Sequence, residues 1–144
     1  MRNYYVKIYE YIEKLVRDTI CFERKGIKCN GDTLSLTEIF ILKTINSSKN
    51  KKIIEIMRHS EVDKNTFSFI VKKLVSIDFI CKEKSKDDGR IQLLKLTDKG
   101  KIFLGSAKTK EKEMLFALLR DFTFNEEKII LKFLVKLDML KNER

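Results

Sequence analysis

Two polar sets in this chain have residue types and spacings that suit an anionic, hydrogen-bonding surface. The first is Lys64, Asn65, Thr66, Ser68, Lys72 and Lys73; the second surrounds Asp87-Asp88-Gly89-Arg90, with Lys82, Lys84, Lys86 and Lys95 beside it. An Asn amide presents a donor and an acceptor side by side and can pair bidentately with adenine. Lysine reaches guanine acceptors, Thr and Ser adapt to either role, and Lys72 and Lys73 suit phosphates. At the second set, Asp88 stands two residues before Arg90 and can orient its guanidinium by a charge-assisted fork, with Gly89 allowing a tight turn between them. The candidate nucleic-acid contacts are therefore Lys64, Asn65, Thr66, Ser68, Lys72, Lys73, Lys84, Lys86, Asp88 and Arg90. Taken alone, a polar helix face of this kind is more often simply solvated.

Bond-making chemistry is not indicated. The single histidine, His59, has no neighbouring Cys or carboxylate pattern that would make it a base or a ligand. No phosphate-cradling glycine loop, nucleophile elbow or zinc spacing occurs, so no catalytic residue, metal or cofactor is expected. Cys21, Cys29 and Cys81 are odd in number and lack C-x-x-C spacing, as free thiols in a reducing compartment would be.

With 144 residues and 43% hydrophobic content the chain fits one domain with a real core. Its longest apolar runs, such as Ile39–Leu42, fall far short of the roughly 20 residues that span a bilayer. The N-terminus carries Glu10 and Glu13 and lacks a secretory cleavage pattern, so a cytoplasmic protein with no membrane partner is expected. The net charge is +10, and residues 49–101 hold 14 Lys/Arg against 8 Asp/Glu, a local balance of +6. A clustered positive balance suits nucleic acid, and it also serves plain solubility.

The elements that must position these residues follow from periodicity. Tyr5, Ile8, Tyr9, Ile12, Leu15, Val16 and Ile20 recur at helical spacing, predicting an amphipathic helix from about Asn3 to Phe22. Residues 24–33 read as a loop. Ser35-x-x-Glu38 is a capping box opening a helix to about Ile45, burying Leu36, Ile39 and Phe40 with Ile41 and Leu42 beside them. The polar break Asn46–Asn50 leads to a short helix marked by Ile53, Ile54, Ile56 and Met57. Asp63 caps the next helix, whose inward face is Phe67, Ile70, Val71 and Leu74 and whose outward face is Lys64, Asn65, Ser68, Lys72 and Lys73. Residues 80–85 and 91–96 flank the charged tip as a protruding hairpin, on which like charges across the strands would repel without an anionic partner. Thr97 caps a helix from Asp98 to Arg120, and Thr123-x-x-Glu126 caps a last one striped by Ile129, Ile130, Phe133, Leu134, Leu137 and Leu140.

Asp88-Gly-Arg90 at a ribbon tip, closing into Leu96-Thr-Asp-Lys-Gly100 at the next helix start, resembles the MarR family of winged helix-turn-helix transcriptional regulators. The resemblance implies a mainly α fold with a small β-hairpin (α+β): a winged helix-turn-helix at about 35–100, with dimerisation helices at about 2–24 and 101–143. It implies a homodimeric regulator, most simply a repressor, that binds a pseudo-palindromic double-stranded operator. It further implies a small aromatic or anionic ligand as effector. Three residues depart from the family's pattern: Glu61 and Asp78 where glycine is usual, and Phe69 where a polar or basic residue is usual. Two competing readings are an intramolecular bundle in place of the dimer, and a winged-helix protein-interaction module without DNA binding.

Overall fold

The computed structural model describes residues 3–48 and 52–142. Lys49, Asn50 and Lys51, and residues 2 and 143 of the expected terminal helices, lie outside that range. The chain forms two compact units, Met1–Ala107 and Lys108–Arg144.

In the first unit, α1 (Asn3–Lys25) runs three residues beyond the expected end. The segment expected to be a loop is instead a hairpin, β1 (Ile27–Cys29) with β2 (Asp32–Leu34). Its turn is Asn30-Gly31, with φ of 52° and 89°, the left-handed pair that a tight two-residue hairpin turn requires. Each strand has only three residues, too few to show an alternating pattern. Gly26 also has positive φ, and a Cβ there would overlap the Leu34 carbonyl, so the strand lies directly against its backbone.

Helix α2 (Leu36–Ser47) opens with the expected capping box: Ser35 Oγ accepts from the Glu38 N–H at 3.1 Å, and Glu38 Oε2 accepts from the Ser35 N–H at 2.9 Å. Its inward face is Ile39, Ile41, Leu42 and Ile45, while Leu36 and Phe40 are 37% and 48% exposed. The expectation for those two is corrected because the 3.6-residue period, set by Ile41 and Ile45, turns both toward the rim. Helices α3 (Ile53–Ser60) and α4 (Lys64–Ser76) complete a helix-turn-helix. Between them Glu61 takes a left-handed φ of 55°, which is how the chain turns at a position where glycine would cost less.

The second hairpin pairs β3 (Ile80–Lys84) with β4 (Gln92–Leu96), joining Ile80 to Leu96 and Lys84 to Gln92. Lys52 bridges to Leu93, so the start of α3 is attached to this ribbon. Phe67, Ile70, Val71, Leu74, Phe79, Ile80, Leu94, Leu96, Phe103 and Leu104 share one core with α2. The last elements are α5 (Asp98–Leu119) and α6 (Phe124–Asn142), the latter opened by Thr123, whose N–H donates to Glu126 Oε1 at 2.9 Å. The second unit comprises the C-terminal half of α5 with α6, and its apolar residues Met114, Leu115, Phe116, Leu118, Leu131 and Leu134 are all more than half exposed.

Candidate nucleic-acid interface

The start of α4 is made by Asp63, whose Oδ2 accepts from the Thr66 N–H at 3.0 Å. Hydrogen bonds from Thr66 hold the Asp63 carboxyl below its usual range. Phe67, Ile70, Val71 and Leu74 all point inward as expected. Lys64, Asn65, Thr66, Ser68 and Lys72 are exposed on the other side.

Lys73 does not join them. Its ammonium donates to both carboxylate oxygens of buried Glu38, at 2.8 and 2.9 Å, and so corrects its expected place on the outward face. Glu38 thus serves the capping box of α2 and the side of α4 together. The reason is helical geometry: Lys73 stands at the edge of the inward face, between the buried side and the solvent.

The end of α4 explains the Leu-Thr-Asp-Lys-Gly motif. Asp78 takes a left-handed φ of 63°, as expected of an Asp standing in for glycine. Thr97 Oγ1 donates to the Asp78 carbonyl, the Thr97 N–H donates to the Phe79 carbonyl at 3.0 Å, and Lys99 Nζ donates to the Ile77 carbonyl at 3.0 Å. Thr97 Oγ1 in turn accepts from the Gly100 N–H at 3.1 Å, capping α5. A Cβ on Gly100 would overlap the Phe79 carbonyl. The motif therefore ties the start of α5 to the end of α4 and fixes the angle at which the ribbon leaves that helix.

At the ribbon tip the Ser85 N–H donates to the Ile91 carbonyl at 2.9 Å, closing a loop. Asp88 Oδ1 accepts from the Arg90 backbone N–H at 3.0 Å and lies 3.5 Å from Arg90 Nε. The expected bidentate fork is thus replaced by one long contact on a guanidinium whose side chain is 93% exposed. Gly89 does not have positive φ, and a Cβ there would meet nothing within 4 Å. The turn is made by the Asp88 side chain closing on its own backbone, which corrects the role expected of Gly89.

The strand register also removes the expected repulsion. Lys82 faces Leu94, Lys84 faces Gln92 and Lys95 faces Cys81, so no two cations are directly opposed. Lys84 and Lys86 are exposed, and Lys64, Lys72, Lys84 and Lys86 hold no ion pair among the described residues.

Between the helix-turn-helix and the ribbon runs an open groove of about 870 Å³, lined among others by Lys52, Lys64, Lys72, Lys82, Arg90 and Gln92. Its one lining carboxylate, Glu55, is paired to Arg58 at 3.2 Å. The fold therefore brings Lys64, Ser68, Lys72 and Arg90 to one groove, and Asn65, Thr66, Lys84, Lys86 and Asp88 are not among its lining. Lys82 and Gln92 also line the groove but are absent from the candidate set. The signal was the two-residue strand period, which puts both on the face of buried Leu94. Among the described residues no group of three or more His, Cys, Asp or Glu could hold a metal ion. No helix of the described residues is long and apolar enough to cross a membrane.

A helix-turn-helix with a ribbon braced on its second helix and on the start of its first is a winged helix-turn-helix. Residues 34–91, from the end of β2 to the ribbon tip, match the MarR family model. The structure of Streptococcus pneumoniae FabT in complex with DNA aligns at a TM-score of 0.80 with 20% identity, covering 97% of this chain and 99% of that one. The transcriptional regulator PcaV of Streptomyces coelicolor, solved with its natural ligand, aligns at 0.68 with 15% identity over 89% of each chain. BpsR of Bordetella bronchiseptica, whose DNA binding 6-hydroxynicotinic acid regulates, aligns at 0.68 with 12% identity over 92% and 98% of the two chains. At these identities the likeness carries the fold. No curated protein matches the chain in sequence.

Proposed function

We propose that this chain is a sequence-specific double-stranded DNA-binding transcriptional regulator, acting as a homodimeric repressor that a small ligand releases. The observation that carries the reading is the cationic groove, where Lys64, Lys72, Lys82 and Arg90 converge on one side of α4 and the ribbon with a single, already paired carboxylate. A polyanion neutralises such a surface, and α4 is exposed along the side that would enter a major groove. Arg90 at the tip suits the adjacent minor groove, where narrow A·T tracts concentrate negative potential. Lys84, Lys86 and Asp88 flank that tip as phosphate contacts and loop support. Lys73 leaves the contact set, because its ammonium is committed to Glu38.

In this reading residues 35–100 form the DNA-binding part, and helices at 2–24 and 101–143 form the dimer. The exposed apolar residues of α1, among them Tyr5, Ile8, Tyr9, Ile12 and Leu15, support it, as do those of α6. Release by a ligand rests on the likeness to PcaV and BpsR, both described with small molecules.

Selection of fragments from random duplex DNA by the full chain tests the function. A pseudo-palindromic motif with half-sites about 10 base pairs apart is expected. Affinity for the selected duplex should fall steeply with salt, with a log–log slope of about −0.9 per neutralised phosphate. Failure to select any duplex would leave the interaction-module reading in its place.

A further inference from the structure

Phe69 is 71% exposed, in the middle of a helix whose other large apolar residues are mostly buried. Taking about 100° per residue, Asn65, Phe69, Lys72 and Ser76 fall within about 30° of the pole opposite the core face of α4. Phe69 therefore stands at the outermost line of the helix, flanked by an amide and a cation, and cannot reach the core by any rotamer. No ring contact engages it among the described residues, in contrast to Phe79, which packs on Phe103 with centroids 4.9 Å apart. An exposed phenyl ring has no conventional hydrogen-bonding group and offers a partner chiefly apolar surface.

We propose that Phe69 selects a pyrimidine carrying a 5-methyl group, a specificity that rests on the proposed function. If the outward pole of α4 enters the major groove, Phe69 must face base edges along with Asn65. The apolar group exposed there is the 5-methyl of thymine, and apolar side chains read it by contact. A methylated cytosine presents the same group at the same ring position. Four residues separate Asn65 from Phe69, about 6 Å along the axis, so the methyl lies roughly two base-pair steps from the base that Asn65 meets. Lys72, on the same line, holds that strand by a phosphate.

The test uses the full chain and the duplex it selects from the random library. Each thymine of a half-site is replaced, symmetrically and one at a time, by deoxyuridine, which removes only the methyl. The wild-type chain should lose about three- to tenfold in affinity at one thymine position. Phe69→Ala, with circular dichroism confirming its fold, should bind the thymine duplex more weakly and bind the two duplexes equally. In a second arm the same position carries cytosine or 5-methylcytosine, and the wild type should favour the methylated form while Phe69→Ala should not. Wild-type affinity indifferent to every deoxyuridine, or discrimination that survives Phe69→Ala, overturns the assignment and leaves the regulator reading intact. If no duplex is selected, the regulator reading fails and this one with it.

Discussion

Lys72 and Lys73 are neighbours in sequence whose surroundings predict opposite consequences of removal. Lys72 is exposed and holds no ion pair among the described residues, so Lys72→Ala should weaken binding to all duplexes alike and lower the salt slope by about one. Lys73→Ala would leave the Glu38 carboxylate, whose side chain is only 9% exposed, without its cation. Because Lys73 itself is 39% exposed, water can partly replace it, and a loss of about 1–3 kcal/mol in urea unfolding is expected rather than the full cost of a dry pair. Asn65→Ala should instead relax the selected motif at one position, a bidentate contact being worth about 1–3 kcal/mol of discrimination. An unchanged motif would remove α4 from base reading. At the tip, Asp88→Ala deletes a negative charge, and charge counting alone predicts tighter binding. The hydrogen bond from the Arg90 N–H to Asp88 predicts the reverse, since without it the loop presenting Arg90 loses its order. Titration of one duplex at fixed salt separates the two.

For the helices and ribbon, the cap of α4 carries a pH dependence whose sign is determined. The Asp63 carboxyl titrates below its usual range because the folded state donates hydrogen bonds to its charged form. Its stabilising effect is therefore complete above the unfolded pKa of about 3.9 and is lost as pH falls through the lower, folded value. Melting curves of wild type and Asp63→Asn should converge on acidification through that window, since Asn caps without titrating; curves that stay parallel would show the cap to be inert. Glu126 is depressed in the same direction by its bonds from Thr123, so α6 should share the acid sensitivity. Gly100, in the first turn of α5, and Gly89, at the ribbon tip, should behave differently. Gly100→Ala forces a Cβ into the Phe79 carbonyl, so the start of α5 must shift, at a cost of about 1–3 kcal/mol. Gly89→Ala meets open space at ordinary φ and should leave stability within about 0.5 kcal/mol.

Across the whole chain, the exposed apolar residues of α1, α5 and α6 exceed what scattered surface positions account for. Ile8, Val16, Met114, Leu118, Leu134 and Leu140 are each more than half exposed. On the proposed homodimer the full chain should sediment as a dimer at micromolar concentration. Deletion of residues 124–144 should leave a monomer or an aggregate, because it removes one apolar face and strands the surface around Leu115, Leu118 and Phe122. A clean full-length monomer would sink the dimer and the two-fold operator with it.

The local devices were legible in the sequence because each is closed within a few residues. The capping boxes at Ser35 and Thr123, the Asp63 cap, the inward face of α4 and the left-handed end at Asp78 all depend on neighbours three or four positions away. The ribbon and its closing motif were equally readable, since turn residues and strand spacing are local properties. The β1–β2 hairpin was not, because three-residue strands carry no period. What only the tertiary structure decided was where long side chains go. Lys73 follows Glu38, 35 positions earlier in the chain. Lys82 joins the groove because β3 pairs with β4 in a register that puts it opposite Leu94. Phe69 stays outside because the core takes Phe67, Ile70, Val71 and Leu74 and leaves that face of α4 exposed. Periodicity names the face on which a side chain lies; which groups meet across elements is set by packing of residues far apart in sequence.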